Sequence, residues 1–190
     1  MRLRSRSPGA SLAAAVAVLV AALAVGCGRD DDLAEITFTA GADGAAASVW
    51  VPINEPRSAG TYRAEVDWGD ATERLEAARD GMLAGAWMED LTSDGSPELV
   101  VALSSAGSGS YGAAHVYTRV DSGAKRLELA PLGEGQRVGY TGHDVFDVED
   151  GVLLREFPIY LVEDTNASPG GGVARFRYSF EENAWRSMDS

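Results

Sequence analysis

The chain predicts an all-β protein, a single domain built as an antiparallel β-sandwich over residues 33–190. Three observations carry this prediction. Short runs of β-branched and aromatic residues recur along the chain, and turns rich in Gly and Asp separate them. Apolar and polar residues alternate within several runs, as expected for strands with one buried face. Helical periodicity is almost absent, which favours a sandwich or a barrel over a fold with helices.

The N-terminal half supplies the first strands. Two β-branched or aromatic runs flank the glycine-containing turn at residues 41–44. Residues 61–68 alternate so that one face is apolar. Residues 71–79 fit either a strand or a short helix, and the sequence leaves that choice open. Asp80-Gly81 predicts a β-hairpin between this segment and residues 82–88.

The C-terminal half continues the same pattern. Residues 97–103 and 113–120 are apolar runs joined by a loop rich in Gly and Ser. Asp150-Gly151 predicts another hairpin, between two short apolar runs. Aromatic residues alternate over 176–180 and predict the last long strand. Residues 164–172, with three consecutive glycines, predict a long flexible loop.

The N-terminus predicts an export signal. Three arginines precede an apolar run over residues 12–26, which is short for a membrane span. The run ends in Leu-Ala-Val-Gly before Cys27, which resembles a bacterial lipobox and implies cleavage before Cys27 and lipidation of its thiol. We therefore expect a signal peptide over 1–26, a lipidated cysteine with its tether over 27–32, and the β-domain over 33–190.

The number of cysteines and the net charge limit where the protein can reside and which partners it can bind. Cys27 is the only cysteine, so the chain has no internal disulfide. Gly28, rather than Asp, follows it, and the sorting rules of lipoproteins then imply the outer membrane of the cell envelope, facing the periplasm. The net charge of −13 becomes −16 once the three signal arginines are removed. So acidic a chain excludes electrostatic binding to nucleic acid and predicts a cationic protein partner.

The most informative segment is the Ser/Tyr loop (residues 104–112), Ser-Ser-Ala-Gly-Ser-Gly-Ser-Tyr-Gly. Its glycines, Gly109 among them, permit backbone shapes and close approaches that a side chain would block. Ser108, Ser110 and Tyr111 carry donors and acceptors that could imitate sugar hydroxyls. The alternative is an ordinary Gly/Ser connection between two strands.

The sequence carries no signature of catalysis. It has no His pair at metal spacing, no nucleophile elbow, no phosphate-binding loop and no dinucleotide fingerprint, so we expect a protein that is not an enzyme and needs no cofactor. Asp90, Thr92, Asp94, Gly95 and Glu98 resemble a shortened calcium loop, but the ligand set is incomplete. A tight turn is favoured over a metal site, with Asp90 and Asp94 bonded to backbone amides.

A second candidate surface lies at residues 139–144, Gly-Tyr-Thr-Gly-His-Asp. His143 is either a loop histidine paired with Asp144 or with a backbone carbonyl, or part of the same surface as the Ser/Tyr loop. Tyr140 is a further candidate for that surface.

Several of these segments together resemble one family, the bacterial periplasmic inhibitors of invertebrate-type (i-type) lysozyme. The similarity spans roughly residues 84–188, and 33–80 matches only in character. The matching pieces are residues 87–91 (Trp-Met-Glu-Asp-Leu) with Asp94-Gly95 and 97–99, then 105–112, 139–146, 154–160 (Leu-Arg-Glu-Phe-Pro-Ile-Tyr) and 164–167 (Asp-Thr-Asn-Ala).

The resemblance implies a β-sandwich whose Ser/Tyr loop enters the active-site cleft of an i-type lysozyme, a cationic protein. Ser108 and Tyr111 match the family's inhibitory serine and tyrosine. Two alternatives remain open on the residues: an envelope lipoprotein that binds a glycan or small ligand, and an envelope scaffold. The membrane contact expected here is the lipid on Cys27, and the sequence also leaves a homodimer open.

Overall fold

Three antiparallel β-sheets make up the part of the chain that the structure describes. The computed structural model describes residues 34–42 and 44–188, with side chains from residue 38 onward, so the expected signal peptide, Cys27 and tether lie outside the described residues. Each sheet has four strands. Within the described ranges there is no α-helix, and therefore no helix able to cross a membrane. The prediction of an all-β antiparallel fold is confirmed.

The strands follow one another in the order of the chain. The N-terminal sheet has the strand order β1-β2-β3-β4, the middle sheet β5-β6-β7-β8, and the C-terminal sheet β12-β11-β10-β9. Their bounds are β1 Ala34–Ala42, β2 Ala45–Pro52, β3 Ala59–Asp67, β4 Thr72–Asp80, β5 Met82–Glu89, β6 Glu98–Ser104, β7 Gly112–Val120, β8 Gly123–Leu127, β9 Val145–Glu149, β10 Val152–Pro158, β11 Val173–Ser179 and β12 Ala184–Ser187, with a 3-10 turn at Gly135–Arg137.

The middle sheet is buried on both faces. In β6, Leu99 and Val101 belong to the core shared with the N-terminal sheet, whereas Val100 and Ala102 belong to the core shared with the C-terminal sheet. A strand covered on both sides reads as a continuous apolar run rather than an alternating one. Burial on both sides therefore explains why residues 97–103 form a continuous apolar run. The sandwich consequently has three layers.

The ambiguous segment 71–79 is a strand. It forms β4, in which Leu75 and Ala77 pack on the N-terminal core and Ala77 pairs with Tyr62 of β3. The next prediction is wrong, because Asp80-Gly81 does not close a hairpin: β4 and β5 belong to different sheets. Gly81 has a φ of 137°, and a Cβ there would lie 2.4 Å from the Ser104 carbonyl oxygen. The glycine lets the chain pass from one layer to the next.

The positions of the turns show which loops lie at the same end of the molecule. Asp150-Gly151 does close the predicted hairpin, between β9 and β10, with φ of 50° and 72°. Two positive φ values are typical of the tight turns that match strand twist. A Cβ on Gly151 would lie 3.0 Å from the Asp90 carbonyl oxygen, so this turn meets the loop between β5 and β6. The Ser/Tyr loop leaves β6 at the opposite end.

Candidate functional site: the Ser/Tyr loop and its supports

The Ser/Tyr loop is a closed connection between β6 and β7. At its base, Ser104 pairs with Gly112, and the Ser105 N–H donates to the Tyr111 carbonyl at 2.8 Å. At its tip, the Ser110 N–H donates to the Gly107 carbonyl at 3.2 Å. The Ser110 hydroxyl donates to the same carbonyl at 3.3 Å, so this serine serves the turn itself.

The tip of the loop projects into solvent. Ala106, Gly107 and Ser108 are exposed, and a Cβ on Gly107 would meet nothing within 4 Å. Tyr111 is 53% exposed. Within the described residues, the hydroxyls of Ser108 and Tyr111 have no hydrogen-bond partner, which leaves both available to a ligand.

A second segment, which we call the brace (residues 139–144), lies directly against the loop. The His143 N–H donates to the Gly109 carbonyl at 2.5 Å. Gly142 has a φ of 102°, and a Cβ there would lie 1.9 Å from the Gly109 carbonyl oxygen. Only glycine fits so close an approach at this backbone geometry.

Tyr140 supports the loop from beneath. Its ring meets the Tyr111 ring edge-on with 5.7 Å between centroids, and on its other side it lies 4.6 Å from the Phe157 ring. Its hydroxyl donates to the Asp144 carboxylate at 2.6 Å. Burial, followed by this hydrogen bond, raises the pKa of Tyr140 to about 12. The Tyr140 hydroxyl is therefore hydrogen-bonded within the protein, and only part of the Tyr140 ring is accessible to a ligand.

A buried ion pair anchors the brace to the loop. The Asp144 side chain is fully buried and accepts from the Arg155 Nε at 2.7 Å and from the Gly112 N–H at 2.8 Å. Arg155 also donates to the Tyr140 hydroxyl at 2.9 Å. Its guanidinium lies over four aromatic rings at 5.3–5.8 Å, which suits a cation removed from water. One carboxylate therefore ties the loop base, the brace and β10 together.

His143 lies beside the loop and contacts both a backbone carbonyl and a side chain. Its main-chain N–H reaches a backbone carbonyl, while its ring Nε2 lies 3.3 Å from the Asn166 Oδ1. Asp144 accepts from Arg155, so of the two pairings left open for His143 the structure shows the one with a backbone carbonyl. The ring also lies 6.1 Å from the Tyr160 ring.

The structure brings together all of the site residues expected within its described part: Ser108, Gly109, Ser110, Tyr111, Tyr140 and His143. It adds three that the sequence did not single out, Asp144 as an anchor, Arg155 and Asn166. No local signal marks Arg155, since its role depends on a carboxylate and rings brought together by the fold.

The Asp-rich loop at the other end of β6 is a tight turn. The Asp90 carboxylate accepts from the Asp94 N–H at 3.1 Å and the Gly95 N–H at 2.9 Å, and Asp94 accepts from the Ser96 N–H at 2.8 Å. Glu98 is fully buried and accepts from the backbone of the same loop. The interpretation as a turn is confirmed, and the described ranges contain no cluster of three or more His, Cys, Asp or Glu side chains suited to a metal ion.

The fold and the site together define a class: a β-sheet protein that presents an exposed, hydroxyl-bearing loop held from below, as inhibitors of cleft enzymes do. The chain belongs to the family described as periplasmic lysozyme inhibitor of I-type lysozyme, whose model matches residues 35–131. That family is a class of inhibitors and not of enzymes.

Two solved structures are similar to part of the chain. One is Aeromonas hydrophila PliI in complex with Meretrix lusoria lysozyme, 32% identical over 44% of this chain and 74% of that one, with a TM-score of 0.39. The other is PliI-Ah, a periplasmic lysozyme inhibitor of I-type lysozyme also from Aeromonas, 31% identical over 45% and 78%, with a TM-score of 0.39. A search of the curated proteins gave no match.

The matched range has a structural meaning. Residues 35–131 contain the N-terminal sheet, the middle sheet and the whole Ser/Tyr loop. The range begins and ends earlier than the stretch in which the sequence resemblance is strongest. It stops before the brace and the C-terminal sheet, so the residues that hold the loop from below lie outside the matched range.

Proposed function

We propose that this protein inhibits i-type lysozyme by inserting the Ser/Tyr loop into the active-site cleft of the enzyme, and thereby protects peptidoglycan. The observation that supports this most is the combination of an exposed tip and a fixed base. Ser108 and Tyr111 are exposed, whereas the Asp144 carboxylate and the brace hold the backbone of the same loop.

The chemistry of the target suits such a loop. Lysozymes cleave a glycan with two carboxyl groups in a cleft, one of which is kept protonated by its surroundings. A narrow loop reaches such groups, whereas a flat protein surface does not. In the proposed complex Ser108 hydrogen-bonds a catalytic carboxyl group. Tyr111 places its half-exposed ring in a sugar subsite and its hydroxyl against the cleft wall.

Two further properties favour tight and rapid binding. Because the loop is already held at Gly109 and Gly112, little conformational entropy is lost when it binds. The chain carries a net charge of −13, and an acidic inhibitor attracts a basic enzyme over long distances. We expect the association rate to fall as salt is added, because salt screens that attraction.

The central prediction concerns the two free hydroxyls. Tyr111→Ala should weaken inhibition of an i-type lysozyme by about 30-fold, because truncating an aromatic interface anchor commonly costs about 2 kcal/mol. Ser108→Ala should cost about 1–3 kcal/mol of binding, because a carboxyl group of the enzyme would lose its partner. Lysis of peptidoglycan, followed by turbidity, gives the inhibition constants, and circular dichroism reports the fold.

The matched control is Ser122→Ala, in the turn between β7 and β8 at the opposite end of β7 from the Ser/Tyr loop. It should inhibit as the parent does. The idea of cleft insertion fails if the double variant Ser108→Ala/Tyr111→Ala inhibits as well as the parent, since the inhibitory surface would then lie elsewhere. A glycan-binding protein or a scaffold would leave added lysozymes of every type unaffected.

We also propose that the mature protein is anchored by lipid on Cys27 and resides at the outer membrane, facing the periplasm. The support is the apolar run and small residues that precede this single cysteine. Cys27→Ser should move the protein from the membrane fraction to the soluble fraction, or leave the signal uncleaved. A mature parent protein whose Cys27 thiol is free by mass spectrometry would contradict the anchor.

A further inference from the structure

We propose that Asn166 is a positioning residue that holds the tip of the Ser/Tyr loop in its inhibitory conformation. The inference rests on the proposed function and deepens it. Asn166 lies 58 positions along the chain from Ser108, in the loop between β10 and β11, and its amide Nδ2 donates to the Ser108 carbonyl at 3.0 Å.

The orientation of the Asn166 amide follows from its partners. The Ser108 carbonyl can only accept a hydrogen bond, so the NH2 group of Asn166 must face it. The amide oxygen then faces the His143 Nε2 at 3.3 Å, and that nitrogen must carry a hydrogen to donate to it. The two side chains therefore form one polar unit.

This unit holds two consecutive carbonyl groups at the tip. Asn166 donates to the carbonyl of Ser108, and the His143 main chain donates to the carbonyl of Gly109. The first bond fixes the plane of the Ser108–Gly109 peptide and the second that of the Gly109–Ser110 peptide, and together they restrain the direction of the Ser108 side chain. The bonds within the loop itself, from Ser110 to Gly107, involve the Gly109–Ser110 peptide but not the Ser108–Gly109 peptide, which Asn166 restrains.

Asn166 is itself held in place. The Tyr160 hydroxyl donates to the Asn166 main-chain carbonyl at 3.0 Å. The Asp164 carboxylate accepts from the Leu161 N–H at 2.7 Å and the Gly170 N–H at 2.6 Å, so it joins the two sides of this loop near its ends. The segment predicted to be a long flexible loop thus has internal bonds that direct Asn166 toward Ser108.

The experiment compares Asn166→Ala and Asn166→Asp with the neighbouring control Thr165→Ala in the full-length mature protein. Thr165 serves its own turn through its main-chain carbonyl, which accepts from the Ser168 N–H at 2.9 Å. Loss of one hydrogen bond predicts inhibition of i-type lysozyme weakened roughly three- to tenfold for Asn166→Ala. Asn166→Asp should do no better, because a carboxylate cannot donate to the Ser108 carbonyl. Thr165→Ala should match the parent.

A double-mutant cycle separates positioning from general stability. If Asn166 directs the Ser108 side chain, Ser108→Ala should cost clearly less affinity in the Asn166→Ala background than in the parent. The melting temperatures of all variants should agree with the parent, since the contacts are exposed.

The outcomes distinguish this inference from the proposed function. A parent that does not inhibit lysozyme overturns the proposed function and this inference with it. A parent that inhibits, together with an Asn166→Ala variant of equal potency, overturns only the role of Asn166. Additive effects of Asn166→Ala and Ser108→Ala would also overturn it, because they would show that Asn166 does not act through Ser108.

Discussion

The two loops at the ends of strand β6 are held in opposite ways. The Asp-rich loop (residues 90–97) is held by its own side chains, with Asp90 and Asp94 accepting from backbone amides two to five positions away. The Ser/Tyr loop has bonds of its own and is held in addition by other segments, through His143, Asp144 and Asn166. Strand β6 thus separates a self-contained turn from a loop that depends on the fold.

The difference has a functional consequence. In the Asp-rich loop the carboxylates of Asp90 and Asp94 bond the backbone of their own turn, so they are less available to a partner. In the Ser/Tyr loop the brace and Asn166 bond the carbonyls of Gly109 and Ser108, and the hydroxyls of Ser108 and Tyr111 are not used to hold the loop. External support is therefore what allows this loop to be both ordered and available for binding.

Two buried carboxylates, one near each end of β6, differ in the same way as the two loops. Glu98 is fully buried among hydroxyl and amide donors, without a cation in contact, and burial raises its pKa. Asp144 is paired with Arg155 and links three segments. Glu98 stabilises the neighbouring turn, whereas Asp144 transmits the position of β10 to the Ser/Tyr loop.

The largest effect should come from breaking this link. Asp144→Ala leaves the Arg155 guanidinium buried without its carboxylate, which typically lowers the free energy of unfolding by about 3–5 kcal/mol. The Gly112 amide also loses its acceptor, so we expect inhibition to be lost as well. Urea denaturation and the lysozyme assay measure the two effects.

The matching change at the other end is Asp90→Ala. It should cost about 1 kcal/mol of stability, because it removes two exposed backbone hydrogen bonds, and it should leave inhibition unchanged. Equal losses of inhibition in Asp90→Ala and Asp144→Ala would show that the loops do not differ in the way described here.

Acid should lower the stability of the protein through a buried histidine in the core. His115 is buried, with its Nδ1 at 2.8 Å from the Tyr62 hydroxyl, and burial lowers its pKa to about 4. The unfolded chain binds this proton below about pH 6.5, so stability should fall by about 3 kcal/mol between pH 6.5 and pH 4 and no further below that.

His115→Asn keeps an acceptor near the Nδ1 position but does not titrate. The difference in unfolding free energy between parent and variant should therefore change across this pH window and be constant outside it. Glu98 has the opposite sign, since its raised pKa favours the folded state as pH falls, and it contributes equally to both proteins. A constant difference from pH 7 to pH 4 would contradict the buried neutral histidine.

Two glycines give the smallest and most specific comparison. Gly95 in the Asp-rich loop and Gly142 in the brace both have positive φ, 88° and 102°. A Cβ on Gly95 would meet nothing within 4 Å, whereas one on Gly142 would collide with the Gly109 carbonyl. Both Ala variants should lose about 1–2 kcal/mol of stability from backbone strain, and Gly142→Ala should lose more because of that collision. Only Gly142→Ala should weaken inhibition, and equal potency of the two variants would refute the role of the brace.

The sequence by itself determined the features that depend on near neighbours. Alternation and continuous apolar runs identified the strands, Asp150-Gly151 identified a hairpin, and Asp90 identified a tight turn. The Ser/Tyr loop was recognisable from its glycines and hydroxyls. Each of these signals lies within about ten residues of chain, where propensity and turn chemistry dominate.

Only the tertiary structure decided the rest. Pairing with β3 made 71–79 a strand, and the passage of Gly81 against Ser104 carried the chain into another sheet instead of a hairpin. The third layer, the Asp144–Arg155 pair and the contact of Asn166 with Ser108 join residues 11 to 58 positions apart. These contacts contribute to the free energy of folding only when the sheets are packed. Packing removes the groups from water and brings them within hydrogen-bonding distance.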